Sequence, residues 1–465
     1  MNTPRPSTSP TPGHRSASGD TRIALRGDLL DFTSTPGWGR TDDPAVRWRP
    51  NHWVLIEHGR IVAVQSDAPG PGWHQHDHAG RLILPGFIDT HVHSPQLDVI
   101  ASYGTALLDW LETYTFPAER RYADPGVAFE GASRFLDALL AHGTTAAVVF
   151  PTVHKVSAQA LFEQAQARGM RLIAGKVLMD RHAPDGLRDD VTQAQDDCRE
   201  LIERWHGRDR LAYAVTVRFA PTSTPEQLRM AGRLCAEDPT LYFQTHVAEN
   251  LDEVRWVSEL FPHARSYLGV YEQAGLLHPR SVLAHGLWLD DLDRRLLAER
   301  GAQIAHSPSS NLFLGSGLID WLALRDAGVA VSVASDVGGG TSLCLLRNLA
   351  AAYQIQALRG QRLTAWSALA ACTHDAAHAL HLSEEIGTIE AGRLADLTVW
   401  DWARDEVTAH RLSLARSLHE RVFAWMMLAD ERHLRQTWVA GLCVHDVDLK
   451  TLPANLSADQ RPRIL

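Results

Sequence analysis

The sequence predicts an α/β fold, a (β/α)8 barrel of the TIM type with a small β-sandwich domain formed by both chain ends. Three observations support this prediction. The central part of the chain alternates apolar, strand-like runs with runs of helical length, while both flanking parts carry short strand-like runs separated by turn residues. The length of 465 residues suits one large barrel with a smaller domain attached. A doubly wound parallel sheet is the alternative architecture.

Changes of pattern along the chain predict five segments. Residues 1–20 are rich in Pro, Ser and Thr, so they cannot bury a core and should form a disordered tail. Residues 21–84 and 387–450 are predicted to be the two parts of the β-sandwich, and residues 85–386 the barrel. Residues 451–465 are predicted to be a second, loose tail.

The barrel prediction depends on eight apolar runs of strand length. Parallel strands covered by helices on both faces are almost continuously apolar, and eight strand–helix units suit a closed barrel. The predicted strands span residues 86–93, 143–150, 171–180, 211–219, 241–249, 281–289, 303–308 and 329–336. Helical runs between them include 128–141, 157–168, 190–206, 225–237 and 290–299. Strand-like runs in the flanking parts include 23–27, 53–56, 59–64, 387–400 and 437–444.

Composition excludes several classes of protein. The formal net charge of −10 argues against a nucleic-acid binder that relies on phosphate contacts. Five widely spaced cysteines without a CxxC pair exclude a disulfide framework and a thiolate zinc site, and they suit a reducing compartment. No apolar run is long enough to span a membrane, and the N-terminus lacks the apolar core of a signal peptide. We therefore expect a cytoplasmic protein without a nucleic-acid or membrane partner.

Polar residues stand at the ends of five predicted strands, where barrels place their active sites. His91 and His93 are two residues apart on the first strand, so both side chains point to one side. A single histidine at a strand end is most often a core residue, but five polar strand ends together predict a site. The others are Arg218, His246 with Glu249 three residues later, His285 and Asp336.

Three imidazoles and a carboxylate suit one divalent ion, which would lower the pKa of a water and supply a nucleophile near neutral pH. Asp336 can both touch the ion and accept the proton of the water, and His285 can hydrogen-bond the nucleophile or hold the carboxylate. Glu249 is predicted to be the general acid and base, with a helix N-terminal carboxylate as the alternative. The fourth strand lacks a lysine that could bridge two metals, so one ion is expected. Lys176 on the third strand should form a structural ion pair.

Longer motifs make a resemblance specific. The stretches PGFIDTHVH, QTHVAEN, LAHG, HSPSSN and ASD occur in the order typical of the amidohydrolase superfamily. Within it the chain resembles the guanine deaminases from about residue 22 to 445. The stretches that carry this resemblance are DTHVHSPQ (89–96), LDWLETYTFPAER (108–120), GKVLMDR (175–181), RFAPT (218–222) and SPSSNLFLGSG (307–317).

The resemblance implies hydrolysis of guanine to xanthine and ammonia by a homodimer that carries one Zn2+ per subunit. The implied zinc ligands are His91, His93, His246 and Asp336. The implied catalytic residues are Glu249, which moves protons, Asp336 and His285. The implied substrate-binding residues are His93, Gln96, Arg218, Phe219, His246, Glu249 and Asp336. Trp110 and Phe116 are candidate walls of the purine pocket or plain core residues.

The chain departs from the family pattern at two places. Ala334-Ser335-Asp336 replaces the usual GTD, and residues 371–377 replace the usual LATLGGA-like segment. Neither change removes a catalytic group, but both leave the substrate range open. The alternative functions are a relative that deaminates another amino-purine, a pterin or a triazine, and a non-catalytic scaffold that has kept the barrel.

Overall fold

The computed structural model describes residues 22–103 and 107–450. The predicted tails, residues 1–20 and 451–465, lie outside the described residues. Strands β1 to β16 span, in chain order, Ile23–Phe32, Val46–Glu57, Arg60–Gln65, His74–Pro85, Phe87–His93, Thr144–Phe150, Arg171–Ala174, Val177–Leu178, Leu211–Val217, Tyr242–Val247, Ser281–His285, Gln303–His306, Val331–Val333, Leu397–Trp400, Leu434–Val439 and Leu442–Asp446. They form a parallel barrel and a mixed sheet, which confirms the predicted fold class.

The barrel contains all eight predicted strands. Its order is β5, β6, β7, β9, β10, β11, β12 and β13, and the pairs along it are parallel. The third predicted strand is broken into β7 and β8 at Gly175 and Lys176. A Cβ atom on Gly175 would lie 1.8 Å from the carbonyl oxygen of Ala214, so only glycine permits this close approach.

The seam between the first and last barrel strands is closed just after β13. The backbone N–H of Asp336 donates to the carbonyl of His91 at 2.9 Å, and the N–H of His93 donates to the carbonyl of Val337 at 2.9 Å. The sheet is therefore a nearly closed ring, which rules out the doubly wound alternative. These bonds also place Asp336 directly beside the two histidines of β5.

The helices cover the outside of the barrel and its mouth. Helices α1 to α17 span Leu107–Trp110, Phe116–Arg120, Pro125–Ala141, Lys155–Arg168, Val191–Trp205, Pro225–Glu237, Leu251–Leu260, Tyr267–Gln273, Asp291–Arg300, Pro308–Phe313, Trp321–Asp326, Leu345–Leu358, Ala365–Ala370, His374–Ala379, Glu406–Ser413, Leu418–Leu428 and Val447–Lys450. A π-helical turn, Leu111–Thr115, joins α1 to α2. The five predicted helical runs correspond to α3, α4, α5, α6 and α9. Every helix among residues 22–103 and 107–450 is too short or too polar to cross a lipid bilayer.

Both chain ends contribute to the mixed sheet, as predicted. Its seven strands follow the order β16, β15, β14, β4, β1, β2 and β3, and the two ends meet where β14 runs antiparallel to β4. Of the predicted strand-like run 387–400, only Leu397–Trp400 forms a strand. The residues before it form turns whose backbone bonds the tip of the β2–β3 hairpin, for example from Ala395 N to Gly59 O. Gly86 alone separates β4 from β5, so the sheet anchors the first barrel strand.

Candidate active site

Four predicted metal ligands converge at the barrel mouth. One ligand atom from each of His91, His93, His246 and Asp336 lies within 4.8 Å of all the others. The Nε2 atom of His93 is 3.3 Å from that of His91 and 3.2 Å from that of His246. Asp336 Oδ1 is 3.2 Å from His91 Nε2 and 3.3 Å from His93 Nε2. Three imidazole nitrogens that face one another cannot satisfy one another as donors, whereas a cation between them satisfies them all.

The protonation of these groups suits a metal. Burial lowers the pKa of His93 to about 3, and burial with the neighbouring imidazoles places the pKa of His246 well below its ordinary value. Burial opposes ionisation of Asp336, yet the adjacent His91 and His93 hold the pKa of its carboxyl well below the usual range. The Nδ1 of His246 donates to the carbonyl of Arg218 at 2.6 Å, which leaves the Nε2 lone pair directed at the cluster. Neutral imidazoles and an ionised carboxylate are the forms that bind zinc.

The end of β11 and the loop after β10 add the predicted proton-transfer groups. His285 Nε2 lies 3.4 Å from Glu249 Oε2 and 3.7 Å from Asp336 Oδ2. Asn311 Oδ1 accepts from His285 Nδ1 at 2.9 Å, and Ser316 Oγ donates to Glu249 Oε1 at 3.0 Å. Burial and the charge of Asp336 raise the pKa of Glu249 to about 8, so this carboxyl carries a proton near neutral pH. Glu249 can therefore donate a proton to a bound base and recover it.

Two of these residues have a strained backbone conformation that directs their side chains into the site. His285 has φ of 72° and Asp336 has φ of 48°, both in the left-handed region that residues other than glycine seldom adopt. His285 is the last residue of β11 and Asp336 lies three residues after β13, so the chain turns at each and projects the side chain into the barrel mouth. Such strain persists only when the surrounding structure holds it, and it is typical of functional sites.

The departure at Ser335 keeps a hydrogen bond that supports the metal cluster. Ser335 donates through Oγ and, at 3.0 Å, through its backbone N–H to the buried carboxylate of Asp89. Asp89 also accepts from the N–H of His91 at 3.3 Å. Serine offers the same hydroxyl that threonine would, so this bridge from the last strand to the first survives the substitution.

Beside the cluster, and lined in part by His93, His246 and Asp336, lies a cleft. It is lined by Gln96, from the 3-10 helix after β5, and by Arg218, which follows β9, and both donate to the fully buried carboxylate of Glu119. Phe219 and Trp110 line the cleft, and the edge of Phe219 packs against Trp256 with 6.1 Å between ring centroids. The cleft thus combines apolar and aromatic side chains with several polar groups, a lining typical of small-molecule sites.

Phe116 and Lys176 lie elsewhere. The ring of Phe116 supports the guanidinium of Arg218 at 5.4 Å and is not among the residues that line the cleft. Lys176 pairs with Asp189, and both side chains are buried, which confirms the predicted structural ion pair. The predicted metal, proton-transfer and substrate residues are therefore gathered in one place, with Lys176 outside it.

Sequence reasoning missed the partners that hold the site residues. These are Glu119, Asn311 and Ser316. All three lie inside stretches that carry the family resemblance, TYTFPAER and SPSSNLFLGSG, but a motif does not say which of its residues contact the site. Glu119 shares its segment with the charged residues Asp109, Glu112 and Arg120, so its charge alone did not single it out.

Comparison with known proteins agrees with the fold and the cluster. The model of the Amidohydrolase family matches residues 82–444, which include the whole barrel, and so identifies the class of protein. Guanine deaminase of Escherichia coli (strain K12) is 41% identical over 430 residues, which cover 91% of this chain and 98% of that protein. The probable guanine deaminase of Deinococcus radiodurans is 39% identical over 384 residues, which cover 82% of this chain and 87% of that protein. The chain belongs to the guanine deaminases of the amidohydrolase family.

A solved structure shows the same architecture at high coverage. E. coli guanine deaminase matches with a TM-score of 0.88 and 40% identity, and the match covers 92% of this chain and 99% of that one. The described barrel and mixed sheet are thus those of an established guanine deaminase structure.

Proposed function

We propose that this chain is a zinc-dependent guanine deaminase, which consumes guanine and water and releases xanthine and ammonia. The observation that carries the proposal is that members of the His-His-His-Asp cluster line the same cleft as Gln96 and Arg218. Guanine deaminase from C. acetobutylicum, with a TM-score of 0.83 and 25% identity, holds guanine in its active site. The present cleft would take the same base.

The metal-binding residues are His91, His93, His246 and Asp336, and the proposal assigns them one Zn2+ per subunit. Three imidazole nitrogens and one carboxylate form a donor set that zinc favours. When bound, the ion supplies a nucleophilic oxygen from water at neutral pH.

Three residues manage the protons. Asp336 Oδ2, on the side of the carboxylate away from His91, accepts the proton that water gives up. Glu249 donates its proton to the ring nitrogen next to the carbon that bears the amino group, and it later helps ammonia to leave. His285, held by Asn311, stabilises the charge that develops on the attacking oxygen.

Gln96, Arg218 and Phe219 bind the purine in this proposal. Phe219 supplies a wall against the ring face, while Arg218 offers donors to the carbonyl oxygen of guanine. Adenine carries an amino donor at that ring position, so donor would face donor in a site with little water. We therefore expect guanine to be preferred over adenine by at least about ten- to 150-fold in kcat/KM.

Ammonia release from a panel of heterocycles tests the function. The purified, zinc-loaded chain should release ammonia from guanine far faster than from adenine, cytosine, pterins or amino-triazines. A faster reaction on a pterin or triazine would identify a relative with another substrate. No ammonia from any compound, with zinc bound, would identify a scaffold that has kept the barrel.

The Arg218→Met variant should lose about ten- to 150-fold in kcat/KM for guanine, because methionine keeps the length of the side chain but donates no hydrogen bond. Steady-state kinetics with metal content measured on the same samples check this result. The control is Arg210→Met, which breaks the ion pair of the half-buried Arg210 with the buried Asp396 but lies away from the cleft. If Arg218→Met keeps its metal and its kcat/KM for guanine stays within about twofold of the wild-type value, Arg218 does not recognise the base. Recognition would then be assigned to Gln96 and Phe219.

The proposal includes a homodimer, which the resemblance implies. Light scattering on the purified chain should give twice the mass of one chain over a range of protein concentrations. The mass of a single chain at every concentration would contradict this part of the proposal without affecting the rest.

A further inference from the structure

Glu119 is a fully buried carboxylate whose partners both line the cleft. Arg218 Nη1 donates to both of its oxygens, at 2.7 and 2.6 Å, and Gln96 Nε2 donates to Oε1 at 3.1 Å. Glu119 does not itself line the cleft. One charged group therefore holds two of the polar side chains that line the cleft.

We propose that Glu119 is the positioning residue that sets guanine specificity, by fixing Arg218 and the amide of Gln96 without touching the base. The inference rests on the proposed function and deepens it. It assigns the recognition of the guanine carbonyl to a three-residue unit rather than to Arg218 alone.

The orientation of Gln96 depends on Glu119. Gln96 Oε1 accepts from the N–H of Gly338 at 3.2 Å, while Nε2 donates to Glu119. If the amide of Gln96 were rotated by 180°, its NH2 group would face the N–H of Gly338 and its oxygen would face the carboxylate of Glu119. Both hydrogen bonds would then be lost. Glu119 and Gly338 together decide which edge of the amide a base meets.

The placement of the Arg218 side chain depends on α2, the short helix that carries Glu119. Phe116 and Glu119 are three residues apart on α2, so they share one face. The ring of Phe116 lies 5.4 Å from the guanidinium carbon, and Glu119 binds one of its nitrogens. Among the described residues, the hydrogen bonds of this guanidinium use Nη1, which leaves the donors on Nε and Nη2 for a ligand.

A purely structural role for Glu119 has to be separated from this one. The backbone carbonyl of Arg218 accepts from the metal-binding residue His246, so a general disturbance of this strand end would lower activity by disturbing the metal. Loss of base recognition would instead leave the metal in place and lower kcat/KM mainly for a substrate that has the carbonyl oxygen.

The experiment compares guanine with 2-aminopurine, which bears the same amino group on the same carbon but lacks the carbonyl oxygen. In Glu119→Gln we expect kcat/KM for guanine to fall at least about tenfold, chiefly through KM, with zinc content unchanged. The kcat/KM for 2-aminopurine should fall less. The ratio of kcat/KM for guanine to kcat/KM for 2-aminopurine should therefore decrease. Glu119→Asp keeps the charge but shortens the side chain, so it should lower the ratio of guanine to 2-aminopurine efficiency less than Glu119→Gln does. If Glu119→Gln fails to fold, a lowered ratio in Glu119→Asp with zinc bound serves as the test.

A double-mutant cycle supplies the second readout. If Glu119 acts through Arg218, adding Glu119→Gln to Arg218→Met should cost far less in guanine efficiency than Glu119→Gln costs alone. The matched control is Asp189→Asn, which breaks the buried pair with Lys176 and should lower thermal stability without changing the substrate ratio. Equal losses on both substrates, or additive losses in the cycle, would overturn the proposal. An inactive wild-type chain would instead count against the proposed function.

Discussion

The His246→Ala variant should lose its metal and its guanine hydrolysis together. His246 contributes one of three nitrogens, and its ring is oriented by the carbonyl of Arg218. Changing only an outer partner of a metal ligand typically costs about 10- to 100-fold in affinity or activity, so removal of the ligand itself should cost more. Elemental analysis should find about one zinc ion per wild-type chain and almost none in the variant.

Two further measurements separate metal loss from misfolding. Chelation of the wild-type protein should lower its Tm, because a ligand that binds only the folded state stabilises that state. The control is His142→Ala, since His142 bonds the carbonyl of Ala138 at the end of α3, away from the cluster, and this variant should keep its zinc. Two ions per chain, or full activity after exhaustive chelation, would rule out the one-metal site.

The Glu249→Gln variant should fold, retain zinc and turn over guanine about a hundredfold or more slowly. Glutamine preserves the shape of the side chain and can still accept the bond from Ser316, but it has no proton to transfer at this position. Because burial and Asp336 raise the pKa of the carboxyl to about 8, the wild-type group is available as an acid at neutral pH. Stopped-flow and steady-state rates on metal-analysed samples check the prediction.

The control for Glu249→Gln is Asp252→Asn in the first turn of the adjoining helix α7. Asp252 is exposed and pairs with Arg255, so its replacement changes the charge near the site without reaching the cleft. Its turnover should stay close to that of the wild type. Wild-type turnover by Glu249→Gln with zinc bound would show that another group moves the protons.

The predictable part of the site was local in the chain. His91 and His93 stand out because the two-residue period of a strand puts them on one side, and a barrel collects strand ends at one mouth. The contact between Glu119 and Arg218 follows no spacing rule, because it depends on how a π-helical turn delivers α2 to the mouth. The sequence likewise predicted an ion pair for Lys176 but could not name Asp189, which lies on a loop after a different strand segment.

The same limit applies to the smaller sheet. The apolar pattern of residues 387–400 predicts a long strand. Only the last four residues of this segment, Leu397–Trp400, form a strand. The earlier residues satisfy their backbone groups against the tip of a hairpin from the other end of the chain. The hydrophobic pattern of a segment predicts that it is buried. It does not distinguish a hydrogen-bonded strand from an irregular segment that packs against a distant part of the chain.

The closure of the barrel through His91 and Asp336 has a consequence for biosynthesis. A ribosome delivers His91 with the first strand of the barrel and Asp336 only after the eighth, β13, and the bond from Asp336 N–H to the His91 carbonyl joins these two strand ends. The complete ligand set therefore cannot exist on a nascent chain until the last strand has emerged and met the first. In the proposed enzyme all four metal-binding residues are therefore available together only after the last barrel strand has been made, and a chain released before Asp336 lacks one of them.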